Sequence, residues 1–359
     1  MPIFWLCLFL LSPFWLLAGL ALLGLAPSLH AKLVGVWLIF TLVTLWLWRW
    51  NSGWATRLGL VALATLPFLL SKHPGMATSK GGVSSISRYP SLIDLPFNLI
   101  SERDLSEVGI GLFTPRPVGQ RVLALTRPLY AEMEQDPAYR GLPHVVGSTA
   151  QDLLWNRPGS LHFTVYLPKN PPKGTLFFYH GAMGNFQVYL HFWRKWAQAN
   201  DWALVCPSNG FGRWYTAEGE RRAVQGFDQA LETLPLSRDR VVVVGMSNGA
   251  TAVTRLVNQR GDQISGVLLV CPVLEAGQLL DPRFVAWTQS HAEPIVIEGS
   301  LDSNVPPAAV EPRVLELQQA KGRCDYRLLE GHDHHLMFSA ADEVYQATET
   351  LVESLTKVR

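Results

Sequence analysis

No aspartate or glutamate occurs before Asp94 in this chain of 359 residues, and residues 1–71 carry only three basic side chains, Lys32, Arg49 and Arg57. A stretch this poor in charge cannot make an ordinary water-facing surface, since soluble domains run at about 25% charged residues. Its apolar residues are also nearly continuous. The run PIFWLCLFLLSPFWLLAGLALLGLA (2–26) is 25 residues without a charge. As a helix it is long enough to cross a hydrocarbon core of about 30 Å. LVGVWLIFTLVTLWLW (33–48) is a second run, and LGLVALATLPFLL (58–70) a third that reaches spanning length if 53–57 join it. Trp46, Trp48, Trp50 and Trp54 gather where the second run meets the third, beside Arg49 and Arg57. That is the pattern of an interfacial aromatic belt with basic side chains reaching the headgroups.

Residues 1–71 are therefore expected to form a helical anchor of three spans, or two spans and an interfacial piece. Membrane lipids are the expected partner, and the chain is expected to be an integral protein of an inner or plasma membrane. A cleaved signal peptide fits less well: the start has no Lys or Arg, and the run exceeds the usual ~7–15 residues. A buried helical hairpin of a soluble protein is the alternative. Orientation stays open, because Arg49 and Arg57 on one side face Lys32, Lys72 and Lys80 on the other.

The remainder reads differently. Net charge over the whole chain is +1, which argues against a nucleic-acid partner, since that calls for a basic face. Cys7, Cys206, Cys271 and Cys324 show no metal or redox spacing and are expected to be free, mostly buried thiols. Residues 72–92, rich in Gly, Ser and Lys, read as a linker. Residues 93–159 hold two helical stretches, PLYAEMEQDPAYRG and STAQDLLWN. They are expected to form an N-terminal extension that packs on the following domain.

From 160 to 359 short apolar runs alternate with amphipathic ones. Strands are expected at 161–167, 174–178, 202–207, 240–245, 264–273, 293–299 and 325–331. Helices are expected at 188–200, 217–234, 248–260, 307–322 and 340–358. Near-continuous apolar strands alternating with helices imply an α/β fold, a mostly parallel sheet with helices on both faces. Ligands of such sheets bind at the carboxyl ends of the strands.

Four motifs fall at those ends. RVVVVGMSNG (240–249) places Ser247 between Gly245 and Gly249, after a buried strand and before a helix. A sharp strand-to-helix turn leaves room only for small flanking residues and lifts the serine hydroxyl above the sheet. YHGAMGN (179–185) is a turn that can aim the N–H of Ala182 or Met183 at an oxyanion, with the N–H of Asn248 as a second donor. EGSLDSNVPP (298–307) offers Asp302, an acid that could orient a histidine. EGHDHHLMF (330–338) offers His332, His334 and His335. Three histidines in one loop raise the question of metal, but no further Cys/His cluster stands nearby to complete a shell, so one of them as general base is the reading and no metal is expected.

In this order the motifs resemble the α/β-hydrolase superfamily, over about residues 160–356. The elbow, the H-G turn and the G-S-x-D-x-x-V-P loop look like its esterase, dienelactone-hydrolase-like and prolyl-oligopeptidase-like branches, and polyhydroxyalkanoate-depolymerase-like esterases carry a similar elbow. The resemblance implies the chain order nucleophile, acid, histidine: Ser247, Asp302, His334. His334 is the third residue after Gly331, where the family places its histidine; His332 and His335 are departures from that pattern. It also implies acyl transfer through a covalent intermediate without a cofactor, on a small-molecule ester or a lipid-derived substrate. Peptidase or amidase action and a non-catalytic, membrane-anchored binding module are the alternatives. Only about 20 residues separate the strands at 264–273 and 293–299, too few for a large helical lid.

Overall fold

The computed structural model describes residues 2–50, 83–87, 100–136, 162–182 and 184–355, with isolated positions at 53, 57, 59 and 61. The chain divides into two compact units. The first takes residues 1–77, 90–130 and 141–147; the second takes 78–89, 131–140 and 148–359.

In the first unit the opening apolar runs become helix α1 (Pro2–Leu25) and helix α2 (Leu29–Trp50). They meet at backbone distance: a Cβ on Gly35 would stand 2.7 Å from the carbonyl oxygen of Gly19. Small residues at such crossings let helices pack without large side chains between them. Helix α3 (Glu102–Phe113) follows, and helix α4 (Arg116–Gln135) begins in this unit. Ser28 caps α2 by accepting the Ala31 N–H at 3.0 Å. Asp104 of α3 then accepts from Ser28 twice, from its N–H at 2.9 Å and its hydroxyl at 2.7 Å. A carboxylate at a helix N-terminus also meets the positive end of the helix dipole. α3 buries Glu102, Asp104 and Glu107, and each is answered: Tyr130 donates to Glu102, and Arg127 pairs with Glu107 at 2.7 Å.

Among the described residues one helix, Leu29–Leu47, is long and apolar enough to cross a membrane, and Phe9–Leu25 is a shorter apolar helix. The third expected run, 58–70, lies mostly outside the described residues.

The second unit is built on an eight-stranded sheet in the order β1-β2-β4-β3-β5-β6-β7-β8. Its strands are β1 (Val83–Ser87), β2 (His162–Tyr166), β3 (Thr175–Tyr179), β4 (Ala203–Pro207), β5 (Val241–Met246), β6 (Gly266–Val270), β7 (Ile295–Gly299) and β8 (Asp325–Leu329). β2 pairs antiparallel with β1 and β4, and the remaining neighbours are parallel. β1 falls within 72–92, read from the sequence as a linker. Five residues with only Val83 and Ile86 apolar leave no period-two signal, and the pairing to β2 is carried by backbone hydrogen bonds.

Consecutive residues of β3 show that both faces are covered. Phe177 packs on Phe227 with ring centroids 4.7 Å apart, while Phe178 packs on Trp193 at 5.9 Å. Neighbouring strand residues point to opposite faces, so helix α5 (Gln187–Asn200), which carries Trp193, and helix α6 (Ala217–Thr233), which carries Phe227, lie on opposite sides. Helix α7 (Gly249–Arg260) follows β5. Between β6 and β7 stand only α8 (Ala276–Leu279) and α9 (Pro282–Ser290). Phe284 and Trp287 of α9 are buried in the core, so this connection is packing, not a lid. Helices α10 (Pro307–Gln319), α11 (Leu336–Ser339) and α12 (Ala341–Ser354) complete the unit. The mostly parallel sheet with helices on both faces is the architecture expected from the sequence.

Candidate active site

Ser247 stands immediately after β5 with φ of 52°, in the left-handed region that a residue with a Cβ seldom adopts. Its N–H bonds the Val270 carbonyl at 2.9 Å, and its own carbonyl accepts from Ala250 at 3.0 Å and Val273 at 3.0 Å. The residue is thus pinned between the ends of β5 and β6. The flanking glycines are a steric necessity. A Cβ on Gly245 would stand 2.7 Å from the backbone of Ala250, and one on Gly249 would collide with the Tyr179 carbonyl. Ser247 is largely buried, at 6% exposure. Helix α7 starts two residues later, so its N-terminal N–H groups, beginning near Asn248, favour negative charge at this point.

The loop after β3 lies against the serine. A Cβ on Gly181 would be 3.2 Å from Ser247 Cβ and 3.7 Å from its Oγ. His180 holds this loop in place. Its Nε2 accepts the Asn209 N–H at 3.0 Å, so the ring proton is on Nδ1, which donates to the Gly181 carbonyl at 2.7 Å. The His180 carbonyl takes the indole N–H of Trp214 at 2.9 Å. The fully buried His180 is therefore a neutral strut for the turn that precedes Ala182. The sequence reading treated it only as part of a turn. Ala182 is exposed, and Met183 lies outside the described residues.

Asp302 and the histidines come from the loops after β7 and β8. Asp302 Oδ1 accepts from the N–H groups of Asn304 at 2.8 Å and Val305 at 2.9 Å. Its Oδ2 stands 2.6 Å from His334 Nδ1. A carboxylate only accepts, so Nδ1 carries a proton, and in the neutral ring Nε2 is left to present a lone pair. Burial works to raise the Asp302 pKa, but the His334 contact and the two backbone donors outweigh it and hold the carboxyl below its usual value. His332 is turned to Ser339 Oγ at 2.9 Å, and His335 to Asp333 at 3.3 Å. Of the three histidines in the loop, the structure joins His334 to Asp302. The two loops are also stitched by backbone, with the Leu301 N–H on the His332 carbonyl at 2.9 Å.

Cys271 follows β6 with φ of 45°, next to the residue that holds the Ser247 N–H. Its Sγ, an Asp302 oxygen and a His334 nitrogen all lie within 4.8 Å of one another. Those atom types can bind a metal. However, the 2.6 Å separation of His334 and Asp302 is a hydrogen bond, whereas two ligands of a tetrahedral zinc stand about 3.3 Å apart. Burial, followed by the nearby Glu298 and Asp302 carboxyls, pushes the Cys271 thiol far up, so it stays neutral. Cys206 and Cys324 are likewise free and buried, and Cys7 is free and exposed.

The arrangement supplies a hydroxyl on a strained turn, an imidazole oriented by a buried carboxylate, and a helix N-terminus facing the hydroxyl. Among known proteins, the family described as "Serine aminopeptidase, S33" matches residues 170–321, less than half of the chain. No curated protein matches. Solved structures with similar folds include a thermostable esterase (TM-score 0.44, 15% identity, covering 54% of this chain). The chain spans 59% of that esterase's length. Another is the S-formylglutathione hydrolase FrmB of Staphylococcus aureus (TM-score 0.43, 17% identity, 54% of this chain and 93% of the other). An esterase of Pyrobaculum calidifontis is a third (TM-score 0.42, 14% identity, 55% and 82%). The family match and the topology of the sheet support an α/β-hydrolase of the serine-hydrolase type.

Proposed function

We propose that this protein is a membrane-anchored serine hydrolase that cleaves carboxylic esters through Ser247, His334 and Asp302. The observation that carries the reading is the 2.6 Å His334–Asp302 hydrogen bond at the same sheet end as the left-handed Ser247.

His334 Nε2 takes the Ser247 proton as Oγ attacks the ester carbonyl. Asp302 fixes the tautomer and balances the imidazolium. The carbonyl oxygen becomes an oxyanion, received by the N–H of Asn248 and by the loop that begins at Gly181, where Ala182 and Met183 are the candidate donors. His334 then returns the proton to the leaving alkoxide, and water repeats the cycle to release the acid. No step calls for a cofactor.

The anchor reading is supported by what α1 and α2 present outward. Phe9, Leu10, Phe14, Leu17, Leu33, Val36 and Val43 are all exposed. An apolar face of that extent is unusual for a soluble monomer. Residues 1–71 then hold the chain in lipid, and 160–359 form the catalytic domain, for which a small or lipid-derived ester is the substrate class.

Aminopeptidase action is the second reading, favoured by the family match. It requires a carboxylate free to hold the substrate ammonium beside the scissile bond. Among the described residues the carboxylates beside His334 are Asp302 and Glu298, both buried, and Asp333, which is half-buried and occupied by His335. The test is fluorophosphonate labelling of wild type against Ser247→Ala, followed by matched ester and aminoacyl-amide substrates. Labelling that needs Ser247 and turnover of the ester series is the expected result. Preference for aminoacyl amides would replace the esterase with an aminopeptidase. A folded protein that never labels would leave a membrane-anchored binding module.

A further inference from the structure

Behind Asp302 lies a second carboxyl that the reaction as written does not use. Glu298 sits near the end of β7 and is fully buried, at 0% exposure. The chain reverses just after it: the Asp302 N–H bonds the Gly299 carbonyl at 3.0 Å, which brings Asp302 back over the strand end. Glu298 Oε1 accepts the Gly299 N–H at 2.9 Å. Oε2 is buried and no N–H or O–H donor reaches it, while the Asp302 carboxyl lies within hydrogen-bonding reach of the Glu298 carboxyl. The ionisable groups facing this carboxyl are Asp302 from the loop after β7, the Cys271 thiol from the end of β6 and Tyr326 from β8, whose hydroxyl is also buried without a partner. None of these is a cation.

Two buried carboxyls side by side do not both ionise. Asp302 has the stronger hold on the charge, with His334 and two backbone N–H groups arranged around it. The proton therefore stays on Glu298, whose pKa burial pushes up to about 8, with Asp302 acting in the same direction. Oε1 is already an acceptor, so the proton sits on Oε2, the oxygen that no donor reaches.

We propose that Glu298 is a positioning residue of this site: its neutral carboxyl, wedged behind Asp302 at the end of β7, directs its Oε2 proton at the Asp302 carboxylate, keeps that carboxylate aligned on His334, and loses this role when it ionises. The kinetic half rests on the serine-hydrolase reading; the protonation half does not. A carboxylate at Glu298 would repel Asp302 and compete for the same donors, so the reaction should fade as Glu298 titrates.

Two measurements on the full chain in detergent test this. The first is the infrared carbonyl stretch of a protonated carboxylic acid, compared between wild type and Glu298→Gln. The band is expected in wild type at neutral pH, absent in the variant, and lost with a midpoint at about 8. The second is the pH profile of kcat with naphthyl acetate. Wild type should show an alkaline limb with that midpoint. Glu298→Gln keeps a donor at the same place, so it should retain neutral-pH kcat within about two-fold and carry the plateau past the limb. Glu298→Ala should lose about ten-fold in kcat with KM unchanged. A wild type without the band, or a limb that persists in Glu298→Gln, overturns the proposal. A wild type that shows the band yet neither labels with fluorophosphonate nor turns over ester overturns the serine-hydrolase reading, and the positioning role with it.

Discussion

The two units solve the burial problem in opposite ways. In the second, the valines of β5 and the aromatic rings of β3 are fully buried, and the charges buried away from the site, Arg194 and Arg222, are each paired with a carboxylate. In the first, Phe9, Phe14 and Leu17 face outward while Glu102, Asp104 and Glu107 are buried. A chain in water gains about 25 cal/mol for each Å² of apolar surface it hides, so the second unit's arrangement explains itself. On the proposed membrane reading the first unit's arrangement follows as well, since there the outside is itself apolar and polar groups must find partners inside. Its buried acids obey that rule, since Asp104 answers the end of α2 and Glu107 answers Arg127. Under the proposed function the contrast becomes a division of labour in which chemistry belongs to the sheet and retention to the hairpin.

The strongest way to break that division is at Ser247. Ser247→Ala should lower kcat by roughly 10⁴-fold or more, as removal of a nucleophile does. It should leave the protein in the membrane fraction after alkaline carbonate washing. Asp302→Asn should cost about 10⁴-fold, because the amide no longer fixes the Nδ1–H tautomer of His334. If Ser247→Ala also released the protein from membranes, the two tasks would not be separate.

Asp104 tests the same division from the other side. Asp104→Ala leaves the Ser28 N–H, the Ser28 hydroxyl and the Ser101 hydroxyl without the carboxylate they share. The expected cost is about 3 kcal/mol to the first unit, at the upper end for hydrogen bonds to a charged group. Denaturation in detergent, followed by tryptophan fluorescence from the hairpin, measures it. Fluorophosphonate labelling at Ser247 should persist at denaturant levels that already open the hairpin. A loss of labelling in step with the fluorescence would show one cooperative body.

Much of the sheet was legible because buried parallel strands are spelled as plain apolar runs. VVVVGM and TLFFY announce β5 and β3 with little ambiguity. The strand-end positions of the candidate residues Ser247, Asp302 and His334 were legible for a related reason: each follows such a run where the sheet opens. β1 was not, since an edge strand with two apolar side chains looks like the serine-rich loop around it. The placement of Glu298 and His180 was missed because it shows only in the folded chain. An acid inside IVIEG reads as a strand residue, and only the turn back to Asp302 shows what it lies against. Residues 93–159 read as one extension of the domain that follows; α3, and α4 through Tyr130, cluster with α1 and α2, and the rest of α4 clusters with the sheet unit. Their link is Asp104 to Ser28, 76 positions apart, for which the sequence has no periodic sign.

The pH dependence of stability separates the two buried carboxyls of the site. Glu298 has a folded value of about 8 against an ordinary 4.5. Between these values the folded state holds a proton that the unfolded state has lost. Stability from this group therefore declines as pH rises through the window and levels above it, with a slope of at most about 1.4 kcal/mol per pH unit. Asp302 runs the other way: its folded value is depressed, so its contribution is present at neutral pH and lost on acidification through that folded value. Glu298→Gln should remove the alkaline decline and leave the acid one. Unfolding titrations of the second unit at several pH values decide it, and parallel curves for wild type and variant would mean that Glu298 is already charged.

The smallest expected effect concerns the two other histidines of the loop, and it is where the site assignment is most exposed. His335 is held by Asp333 through both its backbone N–H, at 3.0 Å, and its ring, and burial lowers its pKa. His332 is turned to Ser339, and it is its carbonyl, not its ring, that ties the acid loop down through Leu301. Replacing either ring by Ala keeps that backbone bond and leaves Asp302 paired with His334. Both variants should stay within about three-fold of wild-type kcat, whereas His334→Ala should fall by roughly 10⁴-fold. The comparison is demanding because three imidazoles in four positions share one loop and are all half-buried, so composition and burial alone would rank them together. What distinguishes them is a single partner. Should His335→Ala fall as far as His334→Ala, the base would be a pair of rings rather than one, and the 2.6 Å contact with Asp302 would not be what selects it.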